Sequence, residues 1–186
     1  MIYAIDTEFV DNGNTIDLIR IGVVVEDGRE LYLQNLEANL AAANPWVKEH
    51  VIPHLAHPHC WKRFNRACMQ PDLGPCPWRT KEELREALRE FITPSYLKPQ
   101  IMGYYADYDW VALNQLYGPL IEHPEHWPWY CLDLRQWLDE HGHHDVKQPD
   151  DAPHQALSDA HWIMETYKHV PCACTIGGKC VSSSAD

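Results

Sequence analysis

Two Gly-containing dipeptides near the N-terminus constrain this chain more than any other feature. Asn12-Gly13 punctuates a turn after the apolar run Ile2-Tyr3-Ala4-Ile5, and Asp27-Gly28 closes the long apolar segment Ile16 to Val25. Asp-Gly suits a tight hairpin, because both of its residues tolerate the positive φ that such a turn demands. Leu31, Tyr32 and Leu33 then continue as a third strand. Strands joined by connections this short pair antiparallel, so the chain opens as a meander.

Downstream the apolar period changes. Asn44 followed by Pro45 reads as an N-cap and first position of a short helix over 44–55. Thr80-Lys81-Glu82-Glu83 is a capping box, and Leu84, Ala87, Leu88 and Phe91 share one face, which predicts a helix over 81–92. Gln100 to Tyr105 suits a central strand. A helix follows from about Asp109, with Gly118-Pro119 as its stop. Trp129 to Leu132 is read as another strand, Leu134 to Gly142 as a helix, and His154 to His169 as the last helix. A meander followed by alternating strands and helices predicts an α/β fold, a mixed sheet flanked by helices. One domain is expected over 1–170, with residues 56–79 showing no clear period. Residues 171–186 lose all apolar periodicity and read as a poorly ordered tail.

At 186 residues and 45% hydrophobic content the chain can bury a sizeable core. Its apolar runs fall short of the ~20 residues that span a bilayer. An acid at position 6 and the lack of a basic leader argue against a signal peptide. A cytoplasmic protein with no membrane partner is expected. The net charge of −12 excludes a general nucleic-acid coat, since phosphate contacts need cations. It leaves a nuclease open, because bound divalent ions restore positive charge. The cysteines, Cys60, Cys68, Cys76, Cys172, Cys174 and Cys180 among them, lack the paired short spacings of structural zinc sites and read as reduced thiols.

The residues that carry chemistry are carboxylates. Asp6 and Glu8 lie two apart at a strand end, so both project to one face. Anions held that close repel, and a hard divalent cation with oxygen ligands resolves the repulsion. Asp109 and its competitor Asp107 both follow the second strong apolar strand; either reaches the first pair or caps the next helix. His154 and Asp159 fall ~140° apart on a regular helix, so they converge only if His154 sits at or before its first turn.

Taken in order, these segments resemble the three motifs of the DEDDh exonucleases. Asp6-Thr7-Glu8-Phe9 is similar to the first, Ala106-Asp107-Tyr108-Asp109 to the second, and His154-Gln155-Ala156-Leu157-Ser158-Asp159-Ala160 to the third. The nearest resemblance is to the polyadenylate-specific 3′-exoribonuclease AS family, relatives of ribonuclease T. It extends over about residues 1–169 and through Ile21-Gly22-Val23-Val24, Trp46-Val47 and Val111-Ala112-Leu113, with residues 57–78 departing from the family pattern as an insertion. The resemblance implies a ribonuclease H-like fold and selects Asp109 over Asp107. It implies a two-metal 3′→5′ exoribonuclease that releases nucleoside 5′-monophosphates from single-stranded RNA, and a homodimer. Asp6, Glu8, Asp109 and Asp159 would hold two Mg²⁺ or Mn²⁺ ions, with His154 as general base.

Two further features bear on the substrate. Phe9 either stacks on a terminal base or packs in the core. Lys62, Arg63 and Arg66 interleave with Trp61 and Phe64, a composition suited to phosphates and bases of a single strand, or to an insertion with solvated charges. A DNA exonuclease shares all of this chemistry, and a catalytically silent nucleic-acid-binding module shares the fold.

Overall fold

The computed structural model describes residues 1–56, 69–70, 74–93, 98–149 and 154–170. The meander is present as β1 (Ile2–Asp11), β2 (Ile16–Val25) and β3 (Glu30–Asn35), each antiparallel to the next. Gly13 and Gly28 occupy the two turns with φ of 82° and 92°, a conformation that glycine adopts without steric cost. Helix α1 (Pro45–His50) is capped by Asn44, whose side chain accepts from the Val47 N–H, and a short 3₁₀ turn, Ile52–His54, finishes the segment read as one helix.

A two-residue ribbon, β4 (Met69–Gln70) and β5 (Gly74–Pro75), precedes β6 (Trp78–Arg79). Trp78, the last residue of the segment read as an insertion, pairs with Gln34 at the edge of the main sheet. Then come α2 (Lys81–Phe91) with both halves of its capping box, β7 (Gln100–Gly103), α3 (Asp107–Tyr117), β8 (Leu132–Asp133), α4 (Leu134–Glu140) and α5 (Ala156–His169). Strand β8 is displaced from the expected Trp129–Leu132, because Trp129 and Tyr130 stand exposed in the preceding loop. Helix α3 starts at Asp107, before the expected Asp109.

The sheet runs β6-β3-β2-β1-β7-β8, with β7 parallel to β1 and β8 parallel to β7. This is the mixed α/β sheet expected, consistent with a ribonuclease H-like architecture. Alternation along β1 builds a core on each face. Tyr3 and Ile5 join Leu84, Leu88 and Leu113 beneath α2 and α3, while Ile2 and Ala4 join Leu134, Leu138, Ala160 and Ile163 beneath α4 and α5. Among the described residues no helix is long and apolar enough to cross a membrane.

Candidate active site

Beyond Ala4 the even-numbered face of β1 turns from apolar to acidic, and Asp6 and Glu8 continue the row directed at α5. Gly22 of β2 stands directly across from Asp6. A methyl group there would lie 2.3 Å from the Ala156 carbonyl oxygen, so the start of α5 rests against bare backbone. That close approach delivers Asp159, one turn into α5 and 4% exposed, to the two strand acids. Carboxylate oxygens of Asp6, Glu8 and Asp159 lie within 4.8 Å of one another. Gln148 donates to Asp159 Oδ1 at 2.7 Å from the loop before the helix.

Asp109 approaches from the other face. It sits in the first turn of α3, 6% exposed, and accepts from both the Thr7 N–H and the Thr7 hydroxyl. Asp107 is exposed at the start of the same helix. Of the two competitors only Asp109 is turned inward, close enough to Asp6 for its charge to be felt there.

Crowding these acids together is electrostatically unfavourable. Burial and then the charges of Asp109, Asp159 and Glu8 push the Asp6 carboxyl well above its usual range. Burial also raises Glu8 to about 7 against the counteracting Arg20 charge, and raises Asp109 to about 7 against the Thr7 hydrogen bonds. Asp159 is raised by burial too, and the charge of His154 opposes that shift. A cluster of hard oxygen donors that resists its own ionisation fits a divalent cation, whose charge would offset the mutual repulsion and favour the ionised carboxylates.

Arg20 is the local counter-charge. It pairs across the ladder with Glu8, just before a bulge that makes Ile19 the extra residue of β2. Its Nη2 lies 3.6 Å from Glu8 Oε1, and it is 1% exposed. The same nitrogen donates to the carbonyl of His154, which precedes α5 with a φ of 35°. The His154 ring is met edge-on by Trp46 of α1, centroids 4.9 Å apart. His154 is thus outside the regular helix, the placement it needs to lie near Asp159.

Phe9 is half-buried against the core and stacked on Tyr108 at 5.8 Å with an interplanar angle of 8°. Its neighbour Tyr108, 54% exposed, is the ring that faces outward. Lys62, Arg63 and Arg66 lie outside the described residues. Sequence reasoning passed over Gly22, Arg20, Thr7 and Gln148. The only local sign was the position of Thr7 between two acids and of Gly22 within an apolar strand.

A protein-family model for the Rv2179c-like 3′-5′ exoribonuclease domain matches residues 1–170. Two relatives from Mycobacterium tuberculosis strains, 3′-5′ exoribonuclease Rv2179c and 3′-5′ exoribonuclease MT2234.1, are each 37% identical to this chain over 165 residues. The match covers 86% of the chain and 87% of each relative.

Proposed function

Because the chain belongs to the Rv2179c-like 3′-5′ exoribonuclease domain family and is a 3′→5′ exoribonuclease, we propose that it works as a two-metal phosphodiesterase on single-stranded RNA. The observation that carries this reading is the meeting of Asp6, Glu8 and Asp159, from opposite ends of the domain, within 4.8 Å. Asp6, Glu8 and Asp159 would hold one Mg²⁺ or Mn²⁺, and Asp6 with Asp109 the second. Bound there, the ions would supply Lewis acidity toward the attacking water and the leaving 3′-oxygen.

The protein's own groups do the rest. The imidazole of His154 accepts a proton from the attacking water. Thr7 holds the Asp109 carboxylate and Gln148 holds that of Asp159, so neither acid has to reorganise during a turnover. The product is a nucleoside 5′-monophosphate, and the strand left behind ends in a 3′-hydroxyl.

Adenylate-rich 3′ ends are the preferred substrate on this reading, supported by the resemblance of the three motifs to the polyadenylate-specific family. The test is digestion of 5′-labelled homopolymer RNAs and matched DNAs with Mg²⁺, with Mn²⁺ and with EDTA. Stepwise shortening from the 3′ end, fastest on oligoadenylate RNA and abolished by EDTA and by Asp6→Asn, is expected. Metal-independent cleavage would overturn the mechanism. Equal rates on all homopolymers would remove only the base preference, and faster DNA digestion would remove only the preference for RNA over DNA.

A further inference from the structure

We propose that Arg20 and Trp46 are positioning residues that tether His154 beside the acid cluster, Arg20 by its backbone and Trp46 by its ring. The inference rests on the reading of His154 as general base. His154 lies ahead of α5, outside regular secondary structure, and is exposed. Its φ of 35° is left-handed, a region that residues with a side chain enter reluctantly. Such a conformation persists only where the surroundings over-determine it. Two contacts do so here.

The first is the guanidinium of Arg20. A cation facing Glu8 could be satisfied by that carboxylate alone. Arg20 instead places one nitrogen between Glu8 and the His154 carbonyl, and directs Nη1 to the His54 carbonyl at 3.4 Å and the Tyr32 hydroxyl at 3.5 Å. The planar fork therefore joins a strand acid, the segment after α1 and the residue before α5. Lysine, with a single ammonium, cannot make that set of contacts.

The second contact is Trp46. Its ring meets the His154 ring at an interplanar angle of 80° and stacks on His50 at 4.9 Å on another side. Trp46 itself is 46% exposed, so its ring and that of His154 are both held at the surface and meet each other there. It is also rigidly mounted. The Asn44 cap bonds the Val47 N–H at 2.9 Å, and Val47 and Val51 pack with Val10 and Ile19 in a separate small core.

The experiment compares His154→Ala, Arg20→Lys, Trp46→Ala and the two doubles that add His154→Ala. Single-turnover rates, KM and Mn²⁺ affinity by calorimetry are measured for each. His154→Ala should slow turnover by ~10²–10⁴-fold, the usual cost of a lost general base. Arg20→Lys and Trp46→Ala should each slow it by about tenfold or more, with KM and Mn²⁺ affinity within about twofold, and cost almost nothing further once His154 is gone.

Additive losses in the doubles would overturn the tether while leaving His154 as base. So would a fall in Mn²⁺ affinity that tracks the rate, which would confine Arg20 to Glu8, or a raised KM with unchanged turnover for Trp46→Ala. An unchanged rate in His154→Ala removes the base assignment and the tether together. Should Arg20→Lys melt at a much lower temperature, Trp46→Ala, on the surface, decides the question alone.

Discussion

Asp109 takes two hydrogen bonds from Thr7, one from the backbone N–H at 2.8 Å and one from the hydroxyl at 2.6 Å. Thr7 lies between the two strand acids but points to the opposite face, so α3 is keyed to the same three residues of β1 that carry Asp6 and Glu8. Thr7→Val keeps the shape and removes the hydroxyl. It should destabilise the metal-free protein by about 1–3 kcal/mol at a pH where Asp109 is ionised. The Asp109 carboxyl should titrate higher still, because these bonds are what oppose its rise. Urea denaturation and carboxyl NMR titration check both effects.

The pH dependence of the metal-free protein runs opposite to ordinary acid denaturation. Asp6, Glu8 and Asp109 bind protons more tightly folded than unfolded, with Glu8 and Asp109 at about 7. Between their unfolded values and about pH 7 the native state therefore holds more protons, and stability falls as pH rises. With EDTA, the melting temperature should be higher near pH 5 than near pH 8. On the proposed two-metal reading, Mn²⁺ should stabilise mainly at the higher pH, where the cluster that would bind it is ionised. Thermal melts at the two pH values with and without metal read the sign directly.

Asp6→Asn separates stability from activity. Removing one like charge from a crowded cluster should raise the melting temperature of the metal-free protein near pH 8 while abolishing metal-dependent cleavage. A loss of both would mean that Asp6 supports the fold instead.

Gly22→Ala is expected to be damaging although it adds one methyl group. The new atom would lie 2.3 Å from the Ala156 carbonyl, which is backbone and cannot rotate away. Overpacking of this kind costs about 1–3 kcal/mol. Because α5 must retreat, Asp159 leaves the cluster, and Mn²⁺ affinity should drop by more than the lost stability explains. Gly13→Ala, where nothing lies within 4 Å, should cost stability through its φ alone and leave metal binding intact. Calorimetric titration of both variants makes the comparison.

Tyr108→Ala tests the outward-facing aromatic surface beside the site. Tyr108 covers Phe9 and exposes its own ring. If that ring receives a base, KM should rise several-fold with little change in turnover, the signature of lost uniform binding. An unchanged KM would assign the Phe9–Tyr108 stack to packing.

The strands and helices were legible because their signals are local. Alternation in Ile2 to Glu8 placed Asp6 and Glu8 on one face, and the Thr80 capping box marked the start of α2 to the residue. Local pattern does not separate Asp109 from Asp107, since both suit the start of a helix; the family resemblance selects Asp109, and the docking of α3 on β1 is what turns it inward. Strand β6 escaped notice because two residues have no period to read. Gly22 and Arg20 were opaque for a different reason. Each acts on a segment more than a hundred positions away in the chain, and no local pattern records such a partner.

The bare backbone at Gly22 also fixes when in the life of the chain chemistry becomes possible. Strands β1 to β8 and α1 to α4 precede the seat that α5 takes there. Until that seat is filled, Asp6 and Glu8 face an open groove, Asp159 is absent, and the residue before the helix has nothing to grip. A chain in which α5 has not yet been made and seated therefore carries an unarmed site. Seating α5 on Gly22 is the step that arms it.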